Sequence, residues 1–282
     1  MRVRKNALLI FSKPPVPGLV KTRLSTLKDG AFTPEIAATL FHCMLFDLVE
    51  ICCDALAELE AREGADPEVK DEYDLFISTT PERNLEVMKD IFESSGAWPR
   101  DIEFIVDAGS NFDEHYNHSF SQVWERGYDA ILSMGADMPA LPRRIVVDGF
   151  EKLHWLEREF GAGCVASPDQ AMAVSIIGWT RDTNMDHTGV YYNEQGVTVM
   201  PAYIAKAAER GVPMLQLEAV PDVDTMLDLV HNATLLEQAE YCSRFEDLSA
   251  PGRTLDALRQ LGWGQYRVMP NDLRDPRDEI DA

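Results

Sequence analysis

Phe11 to Leu24, FSKPPVPGLVKTRL, places three cations, Lys13, Lys21 and Arg23, on or just after a turn built from Pro14, Pro15, Pro17 and Gly18. The prolines restrict φ and remove three backbone donors, while Gly18 permits a sharp turn and a close backbone approach to a ligand. Residues 1–28 carry seven basic residues (Arg2, Arg4, Lys5, Lys13, Lys21, Arg23, Lys28) and no acidic one, in a chain with 26 basic and 48 acidic residues and a net charge of −22. A positive loop in so acidic a chain has the make-up of a phosphate site. A solvated basic N-terminus on a rigid turn has the same composition, and composition does not separate the two. Asp137, in Gly135-Ala136-Asp137-Met138-Pro139, and the pair Asp222 and Asp224, in Asp222-Val223-Asp224-Thr225, supply carboxylates. Two like charges about 4 Å apart cost on the order of 4 kcal/mol at an effective dielectric near 20, so a carboxylate beside a phosphate calls for a cation between them. Mg²⁺ favours one or two carboxylates together with substrate phosphates. Strand alternation would point Asp222 and Asp224 the same way. A turn role for Asp137 and an N-cap role for Asp224 stay open. His115 and His118 stand at an i, i+3 spacing that suits a metal, but with no third ligand nearby in sequence they read as surface or substrate-loop residues.

The elements that must position these side chains can be read from periodicity. Ala7–Ile10 is a short apolar strand emptying into the basic loop. Thr33 before Pro34 opens a long amphipathic helix through Leu59. Arg62 to Glu72 reads as a surface connection. Next come a strand at Tyr73–Ser78, a helix at Glu82–Phe92, a strand at Asp101–Val106, a helix at Glu114–Arg126, a strand at Ala130–Met134 and a helix at Pro142–Phe160. Strands are expected at Gly163–Ser167 and Ala173–Gly178, with Thr180–Asn193 a long loop suited to acceptor contacts. A helix at Val199–Arg210, a strand at Met214–Leu217 and helices at Met226–Phe245 and Thr254–Leu261 complete the pattern, followed by a charged, loosely held tail from Asn271. Strands alternating with helices predict parallel βαβ units and a three-layer α/β sandwich. Ligands of such sheets gather beyond the carboxyl ends of the strands, so the basic loop and Asp137 should meet there.

A chain of 282 residues can form one large domain, or one domain and an appendage. Its acidity argues against duplex nucleic acid as a partner. The five cysteines (Cys43, Cys52, Cys53, Cys164, Cys242) form no C-x-x-C pair and read as small buried residues in a reducing cytoplasm. The N-terminal apolar run is too short for a signal-peptide core. No apolar stretch is expected to reach the roughly 20 residues of a membrane span.

The succession of FSKPPVPGLVKTRL, GADMPAL and DVDT, the last followed by Asp228-Leu229, resembles a bacterial family of GT-A-fold, nucleotide-diphospho-sugar-transferase-like proteins related to the guanylyltransferases for phospholactate and for the molybdenum cofactor. The resemblance covers about residues 7–235, and its first motif is the most specific. It implies a mostly parallel central sheet, a GT-A-like domain over residues 1–240 and a helical extension over 241–282. It further implies a nucleotide site of Lys13, Gly18, Lys21 and Arg23, with Asp113 in the segment Gly109–Phe120 near base and sugar. Asp137 would bind Mg²⁺ or Mn²⁺ with Asp222 or Asp224, Lys21 and Asp137 would be catalytic, and Asp169 would lie on the acceptor side. The function it implies is metal-dependent glycosyl transfer from a nucleotide or nucleotide-sugar donor to a small acceptor. Nucleotidyl transfer of the guanylyltransferase type and a non-catalytic nucleotide-binding role are the alternatives; a homodimer fits any of them. In one respect the chain departs from the family. Where most members show Asp-Gly-Gly-Tyr after a proline, it reads Pro168-Asp169-Gln170-Ala171-Met172, so side chains replace backbone-exposing glycines.

Overall fold

The computed structural model describes residues 2–62 and 68–262. Its seven-stranded sheet has the order β3-β2-β1-β4-β6-β5-β7, built from β1 (Arg2–Phe11), β2 (Val69–Thr79), β3 (Ile102–Val106), β4 (Ala130–Gly135), β5 (Cys164–Pro168), β6 (Val174–Thr180) and β7 (Met214–Gln216). β1 pairs in parallel with β2 and β4, and β2 with β3. β6 runs antiparallel to both β4 and β5, and β5 is parallel to β7. The helices among the described residues are α1 (Pro34–Ala61), α2 (Arg83–Ser94), α3 (Phe112–Glu125), α4 (Arg143–Phe160), α5 (Val199–Arg210), α6 (Met226–Cys242) and α7 (Arg253–Gln260).

Alternation along the strands fills both faces of the sheet. Leu8, Ile10, Leu75 and Ile77 pack with apolar residues of α1, α2 and α4, whereas Ala7, Leu9 and Phe76 pack with Tyr116, Phe120 and Val123 of α3 and Tyr203 and Ala207 of α5. The result is the mostly parallel three-layer sandwich that alternating strands and helices predict.

Three expectations need correction. β2 starts at Val69, inside the stretch read as a surface connection, because Arg2 to Lys5 extend β1 and pair with Val69 to Glu72. That extension also divides the basic N-terminus. Arg2 pairs with Asp129 and Glu157, and Arg4 with Asp71 and Glu157, at the end of β1 opposite the basic loop. Lastly, α1 is long and apolar enough by length and composition to cross a membrane, yet 72% of its apolar window is buried inside the protein. It is apolar nearly all round because it packs on the sheet and against α4 and α7.

α6 continues without a break past residue 240. α7 then returns to the core, where Leu258 joins Leu40 and Met44 of α1. The carboxylate of Asp47, fully buried in α1, accepts from the backbone N–H groups of Arg253 (3.2 Å) and Thr254 (2.8 Å) and so caps α7 across 207 residues of sequence. The charged tail from Asn271 lies outside the described residues. Asp47→Ala strips α7 of its cap and leaves the buried Thr254 N–H unpaired. Urea denaturation should show a loss of about 1–3 kcal/mol, with protease cleavage appearing first near α7.

Candidate functional site

The basic loop leaves β1 at the carboxyl edge of the sheet and folds back on itself. Thr26 N–H donates to Phe32 O and Phe32 N–H to Leu24 O, while Val20 and Leu24 are buried beneath. Gly18 sits at φ 77°, a conformation that favours glycine. It serves the turn and is not among the residues lining the cleft. Lys21 also has positive φ, 45°, and its side chain is only 8% exposed. Its ammonium donates to the Asp137 carboxylate and to the carbonyl of Val223, joining the loop after β1, the turn after β4 and the turn before α6. Arg23 is more exposed and pairs with Asp224 at 2.7 Å. Lys13 and Lys28 are exposed, and their side-chain ammonium groups have no hydrogen-bond or ion-pair partner among the described residues.

The aspartates converge as the fold requires. Val223 N–H donates to the carbonyl of Asp137 at 3.1 Å, fastening the two turns together. Thr225, not Asp224, is the N-cap of α6, and Asp228 closes the capping box. This releases Asp222 and Asp224 from capping, and oxygens of Asp137, Asp222 and Asp224 lie within 4.8 Å of one another. Asp222 is pushed up to about 7, first by burial and then by the charge of Asp137, with Asp224 and Asp169 adding to it. A set of hard carboxylate oxygens, one of them reluctant to ionise because it is buried beside another carboxylate, fits a divalent cation such as Mg²⁺ or Mn²⁺.

A cleft of about 460 Å³ opens beside this cluster. Lys13, Lys21, Arg23 and Lys28 line one part, Asp137 and Asp224 another, and Phe112, Tyr116 and Tyr192 form an aromatic wall. Tyr116 stacks on Phe11 at 3.8 Å between ring centroids. The structure thus brings together Lys13, Lys21, Arg23, Asp137, Asp222 and Asp224. It does not bring in Asp113, whose two carboxylate oxygens accept from Gly189 N–H (2.6 Å) and Tyr191 N–H (2.8 Å) and pin the loop after β6 to the first turn of α3. Asp169 spends one oxygen on its own turn, accepting from Ala171 N–H and Ala173 N–H. His115 pairs with the buried Asp107 at 2.6 Å and His118 accepts from Ala108 N–H, so the two imidazoles do not form a joint ligand set. Lys28, Tyr192 and Gln170 were not assigned from sequence, whereas Phe112 and Tyr116 lie in the segment Gly109–Phe120 expected near base and sugar, without having been singled out. Lys28 was legible as part of the basic stretch; the aromatic wall depends on which helix face the tertiary structure turns toward the cleft.

Residues 68–169 match a family described as "Uncharacterized protein conserved in bacteria (DUF2064)". The match includes the turn carrying Asp137 and stops before Asp222. No curated protein matches the sequence. Among solved structures, a protein of Desulfovibrio desulfuricans G20, provisionally named a nucleotide-diphospho-sugar transferase, superposes with a TM-score of 0.67 at 22% identity, covering 94% of this chain and 99% of that one. A cytidylyltransferase from Leptospira borgpetersenii serovar Hardjo-bovis (strain JB197) superposes with a TM-score of 0.45 at 11% identity, over 96% and 100% of the two chains. Rv0371c from Mycobacterium tuberculosis H37Rv, in complex with manganese, reaches 0.41 at 11% identity, over 82% and 98%. The first likeness establishes the fold: over 94% of its length the chain is built like the Desulfovibrio protein, in keeping with the α/β sandwich expected from the sequence.

Asp222 gives the site a pH signature. Its folded pKa, about 7, is raised above the ordinary 3.8. Its stabilising proton is fully bound below 3.8 and lost as pH rises through 7, so the metal-free protein loses stability over that rise. In EDTA, raising the pH from 6 to 8 should lower the melting temperature of the native protein relative to Asp222→Asn by about 3 °C, the shift expected from roughly 1 kcal/mol. Equal behaviour of the two proteins across this range would contradict the assignment.

Proposed function

We propose that the chain is a metal-dependent transferase that uses a nucleotide-diphospho-sugar donor, with glycosyl transfer to a small acceptor as the reaction. The observation that carries this reading is that Asp137 and Asp224 share one cleft with four basic side chains, two of which have no partner among the described residues, while Asp222 lies close to both aspartates. Carboxylates alone would repel a diphosphate, and lysines alone would bind any anion. Together they suit a ligand that is itself bridged to the carboxylates by a divalent ion.

Asp137, Asp222 and Asp224 would hold Mg²⁺ or Mn²⁺, which when bound supplies positive charge for a departing diphosphate. Lys13 and Lys28 would bind the phosphate oxygens, being exposed and unpaired. Lys21 would orient Asp137, and Arg23 would do the same for Asp224. The aromatic wall of Phe112, Tyr116 and Tyr192 offers flat apolar surface for the rest of the donor. Such transfers rest on positioning and charge stabilisation, so no nucleophilic triad is needed. The fold shared with the Desulfovibrio protein supports the class of reaction by analogy. Nucleotidyl transfer is the second reading, favoured by the spare charge of Lys13 and Lys28, which could serve a third phosphate.

A thermal-shift screen of nucleoside triphosphates and nucleotide-sugars, each with and without Mn²⁺, should give a metal-dependent rise in melting temperature for one base. Asp137→Ala should abolish that rise, and Lys13→Ala should weaken binding about tenfold, or 1.4 kcal/mol. The best-binding donor class separates sugar transfer from nucleotidyl transfer. No shift with any nucleotide would overturn the donor site.

A further inference from the structure

Each of the three clustered aspartates has one oxygen already engaged by a fixed donor. Lys21 holds Oδ2 of Asp137, Arg23 holds Oδ2 of Asp224, and Gln170 holds Oδ1 of Asp222. The remaining oxygen of each has no hydrogen-bond or ion-pair partner among the described residues. Gln170 differs from the other two donors: it is neutral and comes from the β5–β6 hairpin, 52 residues away in sequence.

Its grip on Asp222 is also the most extensive. The Gln170 Nε2 group donates to the Asp222 carboxylate at 2.8 Å and to the Asp222 carbonyl at 3.3 Å, while Oε1 accepts from Asp222 N–H at 3.2 Å. The side-chain amide therefore pairs with the aspartate's backbone in the manner of a strand neighbour and fixes its carboxylate as well. The rungs below hold the hairpin in place for this contact. Leu217 N–H donates to Ala166 O, Val220 N–H to Pro168 O, and the Ser175 hydroxyl to Val220 O. Asp169 closes the hairpin turn through Ala171 and Ala173, which settles the direction from which Gln170 approaches.

We propose that Gln170 is a positioning residue for the metal centre: it holds Asp222 so that one oxygen faces the ion, and by making Asp222 a single-oxygen ligand, as Lys21 makes Asp137 and Arg23 makes Asp224, it helps to select Mg²⁺ and Mn²⁺ against Ca²⁺. This rests on the metal-dependent reading above. Three single oxygens leave three octahedral positions for phosphate oxygens or water, the arrangement that Mg²⁺ demands. Ca²⁺ takes six to eight oxygens and commonly draws on two-oxygen carboxylates, which the donors on Asp137, Asp222 and Asp224 oppose. Partners that orient metal ligands typically contribute 10- to 100-fold to affinity.

The test is titration of Mn²⁺ into the full chain by electron paramagnetic resonance, with Ca²⁺ as competitor. It compares the native protein with Gln170→Met, which keeps the length of the side chain without its amide, with Gln170→Ala, and with Asp222→Asn as the control for the site itself. Native protein should bind Mn²⁺ and Asp222→Asn should not. Both Gln170 variants, with unchanged circular dichroism, should bind Mn²⁺ about tenfold more weakly while Ca²⁺ binding holds or improves, so that discrimination between the ions shrinks. If native protein and both Gln170 variants show the same Mn²⁺ affinity and the same preference over Ca²⁺, the role given to Gln170 is overturned while the metal site stands. An equal loss for both ions would overturn the selectivity. Absence of Mn²⁺ binding by native protein would overturn the metal-dependent reading, and this proposal with it.

Discussion

Three carboxylates whose oxygens lie within 4.8 Å of one another set the terms for everything around them. Unscreened, each contact between ionised groups at that range costs several kcal/mol, and the protein meets the cost in three ways. Lys21 delivers a nearly buried ammonium to Asp137, Arg23 reaches Asp224 from the surface, and Asp222 holds its proton up to about pH 7. The basic loop is thus a counter-charge for the aspartates as well as the proposed place for phosphate. The left-handed backbone at Lys21 fits that double duty, because strained conformations persist where surrounding contacts over-determine them.

The sheet makes this convergence possible. β1 and β4 are parallel neighbours, so the segments that follow them leave from the same edge. The chain after β7 climbs along β5 and brings Asp222 to that edge from the other side. The capping box of Thr225 and Asp228 then starts α6 without enlisting Asp224. Local rules for helix starts therefore bear directly on the chemistry: had the N-cap fallen one residue earlier, a carboxylate of the cluster would be bound to backbone N–H groups.

Much of this was legible in the chain before any coordinates. The alternation of apolar runs with helical periods gave the order of the elements, and the strand–loop contrast at Ala7 to Leu24 marked the basic loop. The carboxyl-edge rule for parallel sheets joined Asp137 to the basic loop, and the family resemblance joined Asp222 or Asp224 to Asp137, across the 85 positions from 137 to 222. What stayed hidden depends on tertiary contact. Arg2 and Arg4 look like part of the phosphate loop in sequence, but a strand ten residues long carries them to its far end. Asp113 has the residue type of a ligand contact, yet backbone N–H groups of a loop more than 70 positions away claim both its oxygens. Gln170 looks like the loss of a glycine until its contacts with Asp222 are seen. The apolar length of α1 follows from burial on several sides, which periodicity read from one segment cannot report.

The central claim is that the aspartate cluster and the two unpaired lysines act on one ligand. Anomalous diffraction at the manganese edge, from crystals grown with Mn²⁺ and the best-binding nucleoside diphosphate, tests it most directly. The account predicts a single strong peak among Asp137, Asp222 and Asp224, with the diphosphate spanning from that ion to Lys13 and Lys28. A nucleotide bound elsewhere, or one held at the lysines while manganese stays away from the aspartates, would contradict it.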